Sequence, residues 1–180
     1  NYSEELTRVF DNYTISTNKV SIPDGMEIFF DGKEPKVEVT VKGKAYNIGE
    51  HILNKDDIIV EASGDYVRSA DYLVLNIKAK LRDGVTADVA ISKVEPSSVE
   101  VYVDYRETRT LNVEAKLNND LETLISQEFP VIKPTASFST VEVMGPATII
   151  NKLSKAYFTA EVDESELPLT QSKELLAEIV

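Results

Sequence analysis

The chain has 180 residues, of which 42% are hydrophobic, and its 31 acidic and 19 basic residues leave a formal net charge of −12. This length allows one large or two small domains, and no apolar run approaches the roughly 20 residues that a membrane-spanning helix needs. With no cysteine and a single histidine, His51, the chain cannot form a thiolate zinc site, a disulfide framework, a cysteine nucleophile or a multi-histidine metal centre. The acidic balance and the scattered basic residues also disfavour sequence-independent binding to nucleic acid or to an anionic lipid surface.

Alternation of apolar and polar residues, which is typical of strands with one buried face, is the dominant pattern along the chain. The first such run contains Val37, Val39 and Val41 and ends at Gly43. In four later runs the apolar residues occupy the odd positions of 73–81, 85–91, 99–105 and 111–117. Asp83-Gly84, between two of these runs, predicts a hairpin turn because this pair tolerates positive φ.

Helical patterns are few. Pro146 suits the first turn of a helix, and Ile149, Ile150 and Leu153 would share one face of that helix over about two turns. Leu121–Ser126 is a second short candidate. Many short strands, few helices and turn residues between them predict a mainly β fold.

The two halves of the chain can be aligned with each other at a shift of about 101 residues, which indicates an internal repeat. Four segments match in order: Thr7-Arg8 with Thr108-Arg109, Val39–Gly43 with Val141–Gly145, Glu61–Ser63 with Glu161–Asp163, and Leu73–Ile77 with Leu175–Ile179. Each match is weak by itself. Their order and nearly constant offset favour a tandem duplication over chance alternation.

The alignment predicts two domains, residues 1–105 and residues 106–180. Val180 corresponds to about Lys78, so the second copy would end before the strands that complete the first. Such a truncation leaves unpaired N–H and C=O groups at a strand edge, which is costly and invites pairing with another chain. We therefore expect residues 106–180 to be less stable than residues 1–105, or to borrow a strand by self-association through this exposed edge.

The residues that carry the repeat also resemble the YbbR-domain family, a bacterial repeat marked by V-x-V-x-G, an A-x-V-D-like strand and a closing P-x-x-V-x-V. The first copy has Val39–Gly43, Val60–Ser63 and Pro96–Val101, and it departs from the pattern at Ser63, where the family usually has aspartate. The second copy has Val141–Pro146 and Thr159–Asp163 and ends before its closing motif. The resemblance covers nearly the whole chain. It implies two tandem, elongated, β-rich YbbR-like domains with few short helices, the second of them truncated.

In function, the resemblance implies a non-catalytic protein of a Gram-positive-type bacterium on the extracytoplasmic face of the cell membrane. There it would control a membrane diadenylate cyclase, which makes cyclic di-AMP, by protein-protein interaction, and it would need no cofactor. Because the chain begins at Asn1 and has no signal-peptide pattern, we expect a longer protein whose N-terminal transmembrane helix lies outside these residues. The alternative is a cell-surface adhesion or wall-binding protein that uses similar β repeats as spacers.

The chemically active residue types favour structural roles. His51 lies in a turn ahead of an apolar pair, with no second histidine or cysteine to share a metal, so we assign it no role. The paired acids at Asp56-Asp57, Asn119-Asp120 and Asp163–Glu166 match no calcium-loop spacing, which favours solvated acidic loops over weak calcium binding or a hydrolase. Gly43-Lys44 and Gly145-Pro146 lack the spacing of phosphate-binding loops. The sequence thus predicts no catalytic, cofactor or metal residues.

Eight tyrosines and six phenylalanines raise the question of a carbohydrate-stacking surface. Several of them, including Tyr72, Tyr102, Tyr105 and Tyr157, lie in alternating segments, where aromatic side chains support cross-strand packing. If some are exposed together, we expect a protein-binding patch rather than a sugar site.

Overall fold

A computed structural model describes residues 4–117, 139–160 and 178–179 of the chain. The chain divides into two units, residues 1–105 (unit 1) and residues 106–180 (unit 2). The described strands are β1 (Glu5–Tyr13), β2 (Met26–Phe30), β3 (Val37–Lys44), β4 (Ile58–Ser63), β5 (Asp71–Leu81), β6 (Val89–Glu95), β7 (Ser98–Leu117), β8 (Thr140–Pro146), β9 (Lys155–Ala160) and β10 (Glu178–Ile179). The described helices are α1 (Ala45–Ile48), a 3₁₀ helix (Lys55–Asp57) and α2 (Ala147–Ile150). The fold is mainly β, which confirms the predicted class.

Unit 1 contains two antiparallel sheets. One has the strand order β1-β3-β6. In the other, β5 pairs with β4 and with the first part of β7, which also pairs with β2. Strand β7 belongs to unit 1 as far as Tyr105 and continues into unit 2 without a break.

The core of unit 1 forms where the apolar faces of both sheets meet. Val39 and Val41 of β3 are fully buried, and Leu75 of β5 and Val103 of β7 lie in the same apolar cluster. Branched aliphatic residues at every second position of a strand produce such a face because successive side chains point to opposite sides. The alternating pattern therefore positions the core and leaves the intervening residues outside it.

Unit 2 is built around the second part of β7. Residues 106–112 of β7 pair antiparallel with β8, and residues 112–117 pair in parallel with β9. Strand β9 in turn pairs antiparallel with β10. Leu111, Ile150 and Ala156 are the buried apolar residues of the described part of this unit.

Four of the five predicted runs lie in three observed strands, with differences at their ends. The runs at 37–41 and 73–81 form β3 and β5, and the runs at 99–105 and 111–117 form one continuous strand, β7. The expected alternation is interrupted in β7, where Val103 and Asp104 are both buried and Tyr105 is exposed. Strand β6 begins at Val89, so Val85 and Ala87 precede it.

The predicted hairpin at Asp83-Gly84 is wrong as a strand pairing. Gly84 does adopt a positive φ of 91°, as the turn requires. The strands on its two sides belong to different sheets, however, because β5 pairs with β4 and β7 whereas β6 pairs with β3.

The helix predicted at Gly145-Pro146 is shorter than expected. Helix α2 spans four residues and Pro146 lies just before it as the N-cap. Ile150 is buried while Ile149 and Leu153 are exposed, so the shared apolar face is wrong. Adjacent residues of a helix point about 100° apart, and a single turn buries one of them. The other helix candidate, Leu121–Ser126, lies outside the described residues.

Candidate interaction surfaces

An aromatic row crosses the outer face of the second sheet of unit 1. Tyr102 of β7 is paired with Phe29 of β2 on one side and with Tyr72 of β5 on the other. Residues paired across neighbouring strands lie on the same face of a sheet. The Tyr72 and Tyr102 rings lie 5.0 Å apart at an interplanar angle of 63°, which is an edge-to-face contact.

This row is open to solvent at β5. Tyr72 is 62% exposed, and Val74, two residues further along the same face of β5, is 53% exposed. Leu73 and Leu75, which alternate with them along the strand, are buried. Val74 is paired with Glu100 of β7, which is exposed. We call Phe29, Tyr72, Val74 and Tyr102 the aromatic row. An apolar group with charged neighbours at its margin is the composition expected of a protein-binding surface.

Two arginines hold equivalent positions in the two units. Arg8 of β1 is paired with Val41 of β3, and its Nη1 donates to the backbone carbonyls of Ile48, at 3.0 Å, and of Leu53. The Arg8 guanidinium also lies 4.5 Å from the centroid of the Phe10 ring. The bond to Ile48 satisfies a carbonyl group at the end of α1 that has no partner within the helix, and the bond to Leu53 holds the turn that follows α1 against β1.

Arg109 repeats this geometry in unit 2. It is paired with Val143 of β8, and its Nη1 donates to the carbonyl of Leu153 at 2.6 Å and to that of Ile150 at 3.4 Å. The sequence match of Thr7-Arg8 with Thr108-Arg109 thus corresponds to the same kind of contact in both units, between an arginine side chain and backbone carbonyls at and after a short helix. Its function is to hold a short helix against a strand, because each guanidinium is occupied by backbone carbonyls.

A charged cluster surrounds Glu61 on β4. Its carboxylate lies 3.0 Å from Lys19 Nζ and 3.5 Å from Lys80 Nζ. The hydrogen bond from Lys19 lowers the pKa of the Glu61 carboxyl, and the same bond raises the pKa of Lys19. The lowered pKa of Glu61 and the raised pKa of Lys19 keep these two groups charged at neutral pH, and with Lys80 they form a surface ion-pair network.

Among the described residues, Tyr13 has the most strongly raised pKa. Its hydroxyl donates to the carbonyl of Lys55 at 2.8 Å, and Lys55 Nζ lies 5.1 Å from the centroid of its ring. Burial, followed by the negative charge of Asp56, raises the pKa of Tyr13 to about 12. The phenol is thus held protonated as part of the packing between β1 and the 3₁₀ helix.

The site candidates of the sequence are dispersed in the structure. His51 is exposed in the turn after α1, and Asp57 accepts a hydrogen bond from the Asn54 N–H at 2.9 Å as part of a capping box. Asn119-Asp120 and Asp163–Glu166 lie outside the described residues. Across 4–117, 139–160 and 178–179, no group of three or more histidine, aspartate or glutamate residues is arranged to hold a metal ion. In the same ranges, no helix has the length and apolarity to cross a membrane.

Sequence reasoning identified Tyr72 and Tyr102 as strand residues but missed their alignment with Phe29. The registers that align Tyr102 with Tyr72 and with Phe29 join residues 30 and 73 positions apart in the sequence, and they depend on tertiary pairing. The adjacent pair Phe29-Phe30 was the available signal, since two neighbouring strand residues must point to opposite faces.

Comparison with known proteins supports the fold. No protein-family model and no curated protein sequence matches this chain. Among solved structures, the chain is similar to a YbbR-like protein from Streptococcus pneumoniae, with a TM-score of 0.52 and 12% sequence identity. The similarity covers 97% of this chain and 84% of that chain. At this identity the similarity concerns the fold, and it confirms the YbbR-like fold that the sequence motifs imply.

Proposed function

We propose that this protein is a non-catalytic regulator, similar to CdaR-like proteins, that controls a membrane diadenylate cyclase by direct contact on the extracytoplasmic face of the membrane. The identity of the partner comes from the resemblance of the sequence motifs, and the YbbR-like fold supports that resemblance. The protein changes cyclic di-AMP synthesis by binding the enzyme and takes no part in the chemistry.

The observation that carries this proposal is the aromatic row of unit 1. Tyrosine and other aromatic side chains are enriched at the centres of protein interfaces, where they bury large areas at low entropic cost. Tyr72 and Val74 are exposed on a strand whose other face is fixed in the core, so the surface is preorganised. A rigid apolar row with exposed Glu100 beside it suits a stable contact with another protein.

A binding measurement with matched variants tests the proposal. The purified chain is immobilised, and retention of the detergent-solubilised cyclase is compared for the wild type and for the double variant Tyr72→Ser, Val74→Ser. Tyr66→Ser is the control, because Tyr66 is 58% exposed and lies outside the row. We expect the double variant to bind the cyclase at least about tenfold more weakly than the wild type. The control should bind within about twofold of the wild type. Circular dichroism confirms that all three proteins are folded.

Two outcomes would contradict the proposal. Equal retention by the double variant would exclude the aromatic row as the contact. Failure of the wild-type chain to retain the cyclase would reject the regulator interpretation itself. Retention on isolated cell-wall material, with none of the cyclase, would support the spacer or wall-binding alternative.

A further inference from the structure

Strand β5 carries a line of outward side chains that continues beyond the aromatic row. Five alternate residues of this strand are exposed, while those between them are buried or half-buried. Since alternate residues of a strand share a face, the five form one line: Tyr72, Val74, Asn76, Lys78 and Lys80. At about 3.4 Å per residue, this line is about 27 Å long. It begins in the aromatic row and ends at two lysines, so the two ends of one sheet face offer different chemistry.

A third lysine joins these two at the far end of the face. Glu61 of β4 is paired with Lys78, and its carboxylate lies 3.0 Å from Lys19 Nζ and 3.5 Å from Lys80 Nζ. Asp83 adds a weaker attraction to Lys19. We call Lys19, Lys78 and Lys80 the lysine group. Its three cations outnumber these two carboxylates, so the group keeps a surplus of positive charge.

The ammonium groups of the lysine group are accessible. The side chains of Lys19 and Lys80 are 61% and 49% exposed, and Lys78 is exposed as well. The carboxylate side chain between them, Glu61, is 22% exposed. Surface ion pairs contribute little to stability, so their lysines exchange one carboxylate for another at small cost. The lysine group is therefore able to bind carboxylates of another molecule.

The charges at the two ends of the face have opposite signs. Glu100 of β7 is exposed and is paired with Val74, which places a carboxylate beside the aromatic row. The lysine group lies at the other end of β5, and Asn76, paired with Ser98, lies between the two ends. A ligand with apolar groups at one end and carboxylates at the other matches this face in one orientation, because the reversed orientation brings its carboxylates to Glu100.

We infer that the outer face of the second sheet binds an extended acidic segment of a partner protein. Apolar residues of this segment pack on Tyr72 and Val74. Two carboxylates, about six residues further along the segment, bind Lys78 and Lys80, because an extended segment advances at the same rate as a strand. The inference rests on the proposed function in its use of the aromatic row, and it adds the chemistry of the segment that the partner supplies.

Net charge favours a protein segment over an anionic lipid surface. A bilayer is an extended surface that meets the field of the whole chain, whose net charge is −12, and that field opposes the local attraction of three lysines. A second copy of the chain is disfavoured for the same reason. A short acidic segment contacts only this face, where the local charge is favourable.

The test is a titration followed by NMR chemical shifts, with the whole chain as the receptor and a nine-residue peptide as the probe. The peptide has leucine at its first and third positions, glutamate at its seventh and ninth and serine elsewhere, which repeats the spacing along β5. The reversed sequence is titrated as well, because either chain direction places the same groups on the face. We expect at least one of the two peptides to cause saturable shifts of the amides of 72–80. Its affinity should fall at least about threefold between about 50 mM and about 300 mM salt.

Charge-reversed variants test the lysine group. Lys78→Glu, Lys80→Glu should bind the peptide at least about tenfold more weakly, and a peptide with lysine in place of glutamate should bind this variant again. The matched control is Lys42→Glu, Lys44→Glu, because these lysines are also exposed and two residues apart on a strand, β3, which belongs to the other sheet. Both double variants change the net charge equally, so a difference between them reports the position of the charge. We expect the control to bind within about twofold of the wild type, and circular dichroism confirms that both variants are folded.

Three results would overturn the inference. The first is absence of saturable binding by both peptides, or equal weakening by the two double variants. The second is a set of zero-length cross-links, formed without peptide, that join Lys78 or Lys80 to carboxylates of residues 106–180, since an intramolecular contact would then occupy the face. The third is a set of shifts at 72–80 with phosphatidylglycerol vesicles and none with either peptide, which would favour lipid.

The inference and the proposed function can fail separately. Retention of the cyclase that Lys78→Glu, Lys80→Glu leaves unchanged would reject an acidic segment as the contact and leave the regulator proposal in place. Peptide binding as described, together with no retention of the cyclase by the wild type, would support the acidic-segment site and reject the cyclase as its partner.

Discussion

At the scale of single residues, two equivalent glycines have different tolerance for a side chain. A Cβ on Gly43 would lie 2.8 Å from Ile48 Cγ2 and 2.9 Å from Val89 Cγ1, distances that force the packing to shift. A Cβ on Gly145 would make an ordinary contact with Ile150. The motif glycine is therefore a packing requirement in unit 1, whereas among the residues that the structure describes its counterpart in unit 2 meets no comparably close contact.

We predict that Gly43→Ala lowers the free energy of unfolding by about 1–3 kcal/mol, because it overpacks the junction of β3, β6 and α1. Gly145→Ala, the matched control, should change it by no more than about 0.5 kcal/mol. Urea denaturation of the two variants beside the wild type measures both values. A Gly145→Ala protein as destabilised as the Gly43→Ala protein would contradict the difference in packing.

Tyr13 gives the stability of unit 1 a dependence on alkaline pH. Its pKa is raised from the ordinary value of 10 to about 12 in the folded state, first by burial and then by Asp56. A group whose pKa is raised by folding stabilises the protein below its unfolded pKa and loses that contribution as pH rises through the folded value. The contribution of Tyr13 is therefore complete below about pH 10 and declines between pH 10 and 12.

We predict that the unfolding free energy of the wild type falls more steeply over this pH range than that of Tyr13→Phe, which has no phenolic proton. Denaturation curves at several pH values from 8 to 12 test this difference, and lysine titration cancels because both proteins share it. Parallel pH profiles for the two proteins would show that the phenol of Tyr13 does not govern the effect.

At the scale of elements, the sequence predicts strands where one face is regularly buried. The alternation of Val37, Val39 and Val41 identifies β3 because each valine enters the core and each intervening residue does not. The same argument locates β5. Burial of apolar side chains is the largest favourable contribution to folding, and in such segments it appears in the sequence as an apolar residue at every second position.

Strands with bulges do not keep a regular alternation. In β1, Phe10 and Tyr13 are both buried, and the register shifts between them where Asn12 has a positive φ of 59°. In β6, the register shifts between the residues paired with Thr40 and Val41, so Ser92 has no opposite residue. An extra residue changes the phase of the alternation, and the period of two is lost at that point.

The candidate surfaces depend on pairing between distant segments. The repeat of Thr7-Arg8 at Thr108-Arg109 is visible in the sequence, but the carbonyl partners of the arginines lie about 40 residues further along the chain. The row of Phe29, Tyr102 and Tyr72 similarly requires two interstrand registers. Sequence patterns therefore identify which residues face outward, and the structure determines which of them lie together.

At the scale of the whole molecule, equivalent apolar positions among the described residues of the two units differ in burial. The buried cluster of unit 1 draws residues from both of its sheets, whereas Val141 and Val143 of unit 2 are half-buried. Burial of apolar area is the main source of stability, at about 25 cal/mol per Å². We therefore retain the expectation that residues 106–180 unfold more easily than residues 1–105.

Hydrogen exchange in increasing urea tests this prediction on equivalent strands of one molecule. We expect the amides of β8 to lose protection at a lower urea concentration than those of β3, because β3 is paired on both sides. Equal midpoints for the two strands at every protein concentration would count against it.

Regulation of a membrane diadenylate cyclase is the property on which the proposed function depends, and a co-expression experiment tests it. The cyclase is expressed with the protein that carries residues 1–180 or with a version that lacks them, and cyclic di-AMP is measured relative to the amount of cyclase. We predict a different cyclic di-AMP output per cyclase molecule in the two strains. Identical output at equal cyclase abundance would contradict regulation by these residues and leave a spacer or wall-binding role.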